Sequence, residues 1–143
     1  MKCYGLLMSD PAQRPATLVS TDDITRLARR RILVADDDQD TTLSLATLLR
    51  LEGHEVTWAC DGYSALQEFN SFKPDVAILD LGMPHVSGHE LAREIRRRSG
   101  EQPVLLIAVS GWARASDIET SSLAGFDHHL IKPAEFRQVA SLL

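Results

Sequence analysis

The stretch RILVADDDQD, residues 31–40, joins an apolar run directly to a run of carboxylates. Residues 32–35 are all apolar, which is typical of a strand that is buried on both faces of a sheet. Asp36, Asp37 and Asp38 follow at once, and two unit charges ~5 Å apart repel each other by roughly 3 kcal/mol at an effective dielectric constant of about 20. Another group in the fold is therefore expected to compensate for this repulsion.

From residue 31 onward, strand-like and helix-like segments alternate. The predicted strands cover residues 32–35, 55–60, 75–81, 104–111 and 128–133, and the predicted helices cover residues 40–52, 63–72, 87–100, 116–126 and 134–143. Two capping boxes, Ser87 with Glu90 and Ser116 with Glu119, mark helix starts. The first, third and fourth strands are apolar and the connections are short. The sequence therefore predicts a doubly wound α/β domain with a five-stranded parallel sheet of (βα)5 type.

The first thirty residues differ from the rest of the chain. They carry Pro11 and Pro15 and show no sustained apolar periodicity before a short helix-like segment at residues 21–30. We interpret residues 1–30 as an N-terminal extension or linker and residues 31–143 as one domain. A chain of 143 residues has enough length for one core and little room for a second.

Bulk composition excludes several classes of function. The formal net charge of −5 argues against direct binding of nucleic acid, which needs a concentrated basic face. The longest apolar runs are too short to span a membrane, and the N-terminus has no signal-peptide core, so a cytoplasmic location is predicted. The two cysteines, Cys3 and Cys60, form no CxxC pair, and we expect Cys60 to be reduced.

Polar residues stand where the predicted strands end. Asp36 and Asp37 follow the first strand, Asp80 ends the third, Ser110 ends the fourth and Lys132 ends the fifth. In open α/β sheets, binding sites form beyond the carboxyl ends of the strands, at the point where the strand order reverses. If these strands are neighbours, the polar side chains converge on one edge of the sheet.

Three carboxylates, one hydroxyl and one ammonium are the composition of a site for a hard cation. Mg²⁺ prefers oxygen ligands, uses one or two carboxylates and keeps waters that a phosphoryl group can replace. A strand-end aspartate beside Mg²⁺ and a lysine is also placed to attack phosphorus. Taken singly, Asp38 or Asp40 is most simply a helix N-cap, and Lys132 or Ser110 has an ordinary structural explanation. Their joint placement favours the site.

The segments ILVADDD, DVAILDLGMPHVSG, LLIAVSGW and AGFDHHLIKP resemble, in this order, the receiver (response-regulator) domain of two-component signalling. The resemblance covers residues 31–143 and implies a flavodoxin-like fold with strand order 2-1-3-4-5. It also implies a phosphorylation-dependent switch in a phosphorelay. The sequences of the last two segments are more similar to receivers of hybrid histidine kinases than to receivers that precede DNA-binding domains.

The resemblance implies a role for each acidic residue of the site. Asp80 is the expected phosphoacceptor, which receives its phosphoryl group from a histidine of a sensor kinase or a phosphotransfer protein. Asp37, Asp80 and the backbone carbonyl of Gly82 are the expected Mg²⁺ ligands, with Asp36 acting directly or through a water molecule.

The resemblance also implies roles on the opposite side of the site. Ser110 is expected to hydrogen-bond a phosphoryl oxygen, and the Lys132 ammonium is expected to pair with the same group. A cis peptide between Lys132 and Pro133 is expected to help orient this ammonium. His129 stands where the family often has a tyrosine or phenylalanine that swings inward as the hydroxyl residue moves. An exposed strand residue is an equally good explanation of His129. His128 is expected to face the other side of the strand.

Two departures from the family pattern bear on the lifetime of the phosphorylated form. Gly82 and Trp112 occupy the positions two residues after the phosphoacceptor and two after the hydroxyl residue, where receivers that lose phosphate quickly often carry polar side chains. The resemblance therefore implies a long-lived phosphoaspartate.

Other functions fit the sequence less well. A receiver-like module that binds partners without phosphorylation keeps the fold, although every site residue is present. A phosphohydrolase would need a second carboxylate two residues after Asp80, where Gly82 stands, so turnover enzyme activity is not expected. The downstream partner is not specified by the sequence, which leaves a homodimer open.

Overall fold

The computed structural model describes residues 20–21, 29–111 and 114–143. The predicted extension over residues 1–30 therefore falls almost entirely outside the described residues, and Trp112 lies outside them as well. None of the helices in the described part of the chain is both long and apolar enough to cross a membrane.

Within residues 29–111 and 114–143, five strands and five helices alternate. The strands are β1 (Arg31–Ala35), β2 (Glu55–Ala59), β3 (Val76–Asp80), β4 (Leu105–Ser110) and β5 (His128–Ile131). The helices are α1 (Gln39–Leu51), α2 (Gly62–Phe72), α3 (Gly88–Ser99), α4 (Ala115–Ala124) and α5 (Phe136–Leu142). All strand pairs are parallel and the sheet order is β2-β1-β3-β4-β5. Both the doubly wound fold and the predicted strand order are confirmed.

The alternating side chains of the central strands divide the core into two layers. Leu33, Leu79 and Leu106 point to the face that α2, α3 and α4 cover. Ile32, Ile78 and Ile107 point to the opposite face, where α1 and α5 pack. Apart from the half-buried Leu105, the apolar residues of β1, β3 and β4 are buried on both faces, which explains why these strands are continuous apolar runs in the sequence.

Helix capping agrees with the sequence at one predicted capping box and differs at the other. Ser87 Oγ accepts a hydrogen bond from the Glu90 amide at 3.2 Å, and the Glu90 carboxylate accepts one from the Ser87 amide at 3.0 Å, so this box is confirmed. The box predicted at Ser116 and Glu119 is wrong. Helix α4 starts earlier, with Arg114 as its N-cap, and Asp117 accepts the hydrogen bond of the Arg114 amide at 3.2 Å.

Candidate functional site

Three carboxylates meet at the carboxyl ends of β1 and β3, the neighbouring strands at which the sheet order reverses. Asp36 and Asp37 follow β1, and Asp80 is the last residue of β3. One oxygen of each carboxylate lies within 4.8 Å of an oxygen of the other two. Asp36 and Asp80 are buried, at 5% and 4% exposure, whereas Asp37 is exposed. The sequence prediction that these residues converge is confirmed.

Backbone amides fix the two buried carboxylates. Asp36 Oδ1 accepts a hydrogen bond from the Asp38 amide at 2.9 Å, and Asp80 Oδ1 accepts one from the Gly82 amide at 3.0 Å. Asp38 in turn is the N-cap of α1 and accepts from the Asp40 amide at 3.1 Å. The three consecutive aspartates therefore have different roles, because Asp38 caps α1 while Asp36 and Asp37 face the site.

Lys132 supplies a positive charge between the two buried carboxylates. Its Nζ lies 3.3 Å from Asp36 Oδ2 and 3.2 Å from Asp80 Oδ2. Burial lowers the pKa of Lys132, but the hydrogen bond to Asp80 and the charges of both carboxylates outweigh burial and raise it above 10.5. The peptide between Lys132 and Pro133 is cis, as expected, and the Lys132 amide donates to the Ser110 carbonyl at 2.7 Å.

The pKa of Asp36 is raised by its position in the carboxylate cluster. Burial raises the pKa of Asp36, and the charge of Asp80 raises it further, while the Asp38 amide and Lys132 act in the opposite direction. The net pKa lies above the usual value of 3.8, which means that the folded domain disfavours the charged form of this side chain. Lys132 therefore offsets only part of the repulsion between the carboxylates.

The opposite wall of the site is formed by β4 and β5. Ser110, at the end of β4, is 6% exposed, and its Oγ lies 2.6 Å from His129 Nε2. His129 is half-buried, whereas His128 is exposed, so the two histidines face opposite sides of the strand as predicted. Of the two explanations that the sequence leaves open for His129, the structure therefore excludes the exposed one. Its role stays a prediction.

A close approach of two backbones shapes the floor of the site. A Cβ atom on Gly88 would lie 2.7 Å from both the Asp80 carbonyl oxygen and Leu81 Cα, so only glycine fits at the start of α3. The first turn of α3 is thereby held against the end of β3. A cavity of about 450 Å³ opens there, with Asp80, Ser110 and His89 in its lining.

Two residues near the site were missed by sequence reasoning. Ser121, in the middle of α4, is 1% exposed, and its Oγ lies 3.0 Å from His129 Nδ1. His89, in the first turn of α3, places Nε2 3.4 Å from the same Oγ. A histidine one residue after a helix-starting glycine and a serine inside a helix carry no local signal. Only the packing of α3 and α4 beside β5 brings them together.

Comparison with known proteins agrees with this geometry. The family described as the response regulator receiver domain matches residues 32–143. The transcriptional regulatory protein PrrA of Mycobacterium tuberculosis is 38% identical over 111 residues, which are 76% of this chain and 46% of that protein. The two-component response regulator PhoP of Pseudomonas aeruginosa is 32% identical over 114 residues, which are 79% of this chain and 49% of PhoP. The chain thus spans about half the length of the curated relatives it matches.

Solved structures show the same fold. A CheY-like response regulator receiver domain protein from Methanospirillum hungatei is 27% identical and superposes with a TM-score of 0.73, over 79% of this chain and 89% of that one. A response regulator from Burkholderia pseudomallei, solved with a phosphorylated aspartic acid and a calcium ion, has a TM-score of 0.72 at 23% identity, over 78% of this chain and 65% of that one.

The fold and the acidic site define a signalling domain of the two-component class. The chain belongs to the response regulator receiver domain family. The relatives reported above are regulators, and the closer resemblance to receivers of hybrid histidine kinases stays a prediction.

Proposed function

We propose that this domain switches a signalling pathway when Asp80 accepts a phosphoryl group from a phosphohistidine of a sensor kinase or a phosphotransfer protein. The observation that carries the proposal is the placement of Asp80. Its buried carboxylate stands within hydrogen-bonding distance of the Lys132 ammonium, in a cavity that Ser110 also lines. These three groups are an acceptor oxygen, a cation and a hydroxyl donor for one phosphoryl group.

The donor set fits a magnesium ion. The three carboxylate oxygens within 4.8 Å of one another are hard ligands, and their mutual repulsion is only partly offset by Lys132. We propose that Asp36, Asp37 and Asp80 hold Mg²⁺ together with the backbone carbonyl of Gly82. An Mg²⁺ ion held by these residues would supply positive charge to neutralise the phosphoryl oxygens.

The residues of the chain account for the other parts of the transfer. One carboxylate oxygen of Asp80 forms the new P–O bond while the P–N bond to the donor histidine breaks, and the bonding electrons leave with the imidazole. Lys132 pairs with the negative charge of the phosphoryl oxygens, and the Ser110 hydroxyl donates a hydrogen bond to one of them. Asp80 is consumed once per event, so the reaction is acceptance and not turnover.

The direct test uses a small phosphodonor. The full chain is incubated with Mg²⁺ and acetyl phosphate, and the added mass is measured by intact-protein mass spectrometry. We expect one phosphoryl group on the wild-type chain and none on Asp80→Asn. The matched control is Asp40→Asn, which makes the same change at an exposed position in the first turn of α1. If the folded wild type takes up no phosphoryl group, the proposal is wrong, and a phosphorylation-independent interaction module becomes the better reading.

The phosphorylated form is expected to be long-lived. Gly82 brings no side chain beside Asp80 that would orient an attacking water, and Trp112 occupies the other position at which receivers with fast hydrolysis are often polar. After removal of acetyl phosphate, the phosphoryl group should persist for far longer than seconds. Spontaneous loss within seconds would contradict this expectation.

The class of protein supports a proposal for the partners and the location. Receiver domains of response regulators act with histidine kinases or phosphotransfer proteins, and we propose such a donor for this chain in the cytoplasm. Direct contact with nucleic acid or membrane is not part of the proposal, because the chain has a net charge of −5. The downstream partner, including a second copy of the chain, is to be found by comparing binding before and after phosphorylation.

A further inference from the structure

A chain of hydrogen bonds leads from the candidate site into the interface between α3 and α4. It runs from Ser110 Oγ to His129 Nε2 at 2.6 Å and from His129 Nδ1 to Ser121 Oγ at 3.0 Å. Its last and weakest link joins Ser121 Oγ to His89 Nε2 at 3.4 Å. Ser110 and Ser121 are almost fully buried, so water has little access to replace these contacts.

The number of protons in this chain restricts its direction. A serine hydroxyl has one proton to donate, and a neutral imidazole has one N–H and one lone pair. In the first direction, His129 donates from Nε2 to Ser110 and accepts from Ser121 at Nδ1, while His89 donates to Ser121. In the second direction every bond is reversed, and Ser110 gives its only proton to His129.

Phosphorylation requires the first direction. Phosphoryl oxygens on Asp80 only accept hydrogen bonds, so Ser110 serves them only when its proton is not given to His129. Resting on the function proposed above, we infer that His129, Ser121 and His89 are positioning residues that direct the Ser110 proton toward the phosphoryl group. By thermodynamic linkage, a phosphoryl group at Asp80 favours the same direction of the chain.

The surroundings of His89 suit its place at the end of the chain. Burial lowers the pKa of His89, and the neighbouring Arg93 and His129 lower it further, while Asp117 has the opposite effect. A neutral His89 carries one N–H, which Nε2 holds in the first direction. The ring also packs edge-on against Phe126, with a centroid distance of 6.3 Å and an interplanar angle of 77°, and this contact limits its rotation.

The protonation of His129 is the most direct test. The full chain is labelled with ¹⁵N at histidine and saturated with Mg²⁺ and beryllium trifluoride, which mimics a phosphoryl group on aspartate. We expect His129 Nε2 to be protonated and Nδ1 to be unprotonated, as the first direction requires. A protonated Nδ1 would overturn the inference, because Ser121 could then not donate to it. An unprotonated Nε2 in this state would overturn the inference, because Ser110 would then be donating to His129.

The rate of phosphorylation by acetyl phosphate tests the same chain by substitution. Ser121→Ala should slow the reaction about fivefold, the factor that one ordinary hydrogen bond contributes to an equilibrium. Ser122→Ala, the same change at an exposed neighbour on α4, should leave the rate unchanged. His89→Leu should slow the reaction about two- to threefold through the weaker link, and His89→Gln, which keeps an N–H donor, should restore it.

The outcomes separate this inference from the proposed function. If the wild-type chain is phosphorylated on Asp80 and both Ser121→Ala and His89→Leu react at the wild-type rate, only the positioning role is refuted. If the wild-type chain takes up no phosphoryl group, the proposed function fails and this inference fails with it.

Discussion

Removal of the Lys132 charge should destabilise the domain more than its partly exposed position suggests. Lys132→Met keeps most of the side-chain length and leaves Asp36 and Asp80 without the ammonium that lies 3.3 and 3.2 Å from them. At an effective dielectric constant of about 20, each contact corresponds to about 5 kcal/mol of attraction, most of which the desolvation of the ions cancels. Breaking a buried ion pair costs about 3–5 kcal/mol. Because 35% of the Lys132 side chain is exposed, solvent screening reduces our expectation to about 2–3 kcal/mol.

The assay is urea unfolding followed by circular dichroism near neutral pH, first with EDTA. The folded pKa of Lys132 is raised above 10.5, so its contribution is fully present below pH 10.5 and is lost only as the pH rises through the folded value. Lys73→Met is the matched control, because it makes the same change at an exposed lysine. With saturating Mg²⁺ the deficit of Lys132→Met should shrink, since the divalent cation replaces the lost charge. Equal free energies of unfolding for Lys132→Met and the wild type in EDTA would refute the reasoning.

Three further substitutions test the electrostatics and the packing of the site. Asp36→Asn should raise the free energy of unfolding in EDTA by about 1 kcal/mol, because the fold disfavours the charged carboxylate. The same substitution should remove most of the stabilisation by Mg²⁺. An unchanged response to Mg²⁺ in urea unfolding would contradict this. Gly88→Ala should destabilise by more than about 2 kcal/mol in the same assay, because its Cβ would lie 2.7 Å from the Asp80 carbonyl oxygen and Leu81 Cα. Burial lowers the pKa of His89, so the unfolded chain binds the proton more readily and stability falls as the pH drops below about 6.5. His89→Gln should flatten this part of the pH dependence of unfolding, and parallel curves for the two proteins would count against it.

The sequence carried enough information for the fold because buried parallel strands leave a strong pattern. The run DVAILDL predicts β3 within one residue at each end, since both faces of that strand pack against helices and nearly every position is apolar. The start of α4 shows the limit of such patterns. Ser116 and Glu119 match a capping box, but Asp117 competes by accepting the amide hydrogen bond of Arg114, and the helix begins at Ala115. Two overlapping caps cannot be ranked from the sequence.

The candidate site also contains residues that the sequence predicted and residues that it did not. The rule that parallel strands end on one edge of the sheet was enough to bring Asp36, Asp80 and Lys132 together, because strand ends are fixed by the backbone. The contact of His89 with Ser121 depends instead on how two helices pack beside the sheet. The packing of these helices depends on the whole core, so no local sequence pattern predicts this contact.

If Asp80 is phosphorylated as proposed, the separation of charges across the site gives a signal a route to the surface. Carboxylates lie on the β1–β3 side, while the Lys132 ammonium and the Ser110 hydroxyl lie on the β4–β5 side, so a phosphoryl group on Asp80 would be drawn toward β4 and β5. Any displacement of Ser110 in that direction acts on His129 and then on Ser121, two hydrogen bonds away. Ser121 belongs to α4, whose outer face exposes the apolar side chains of Ile118 and Leu123, at 48% and 81%. If Asp80 is phosphorylated as proposed, the path from the phosphoryl group to this surface is short, and it ends at Ser121, which the sequence alone did not select.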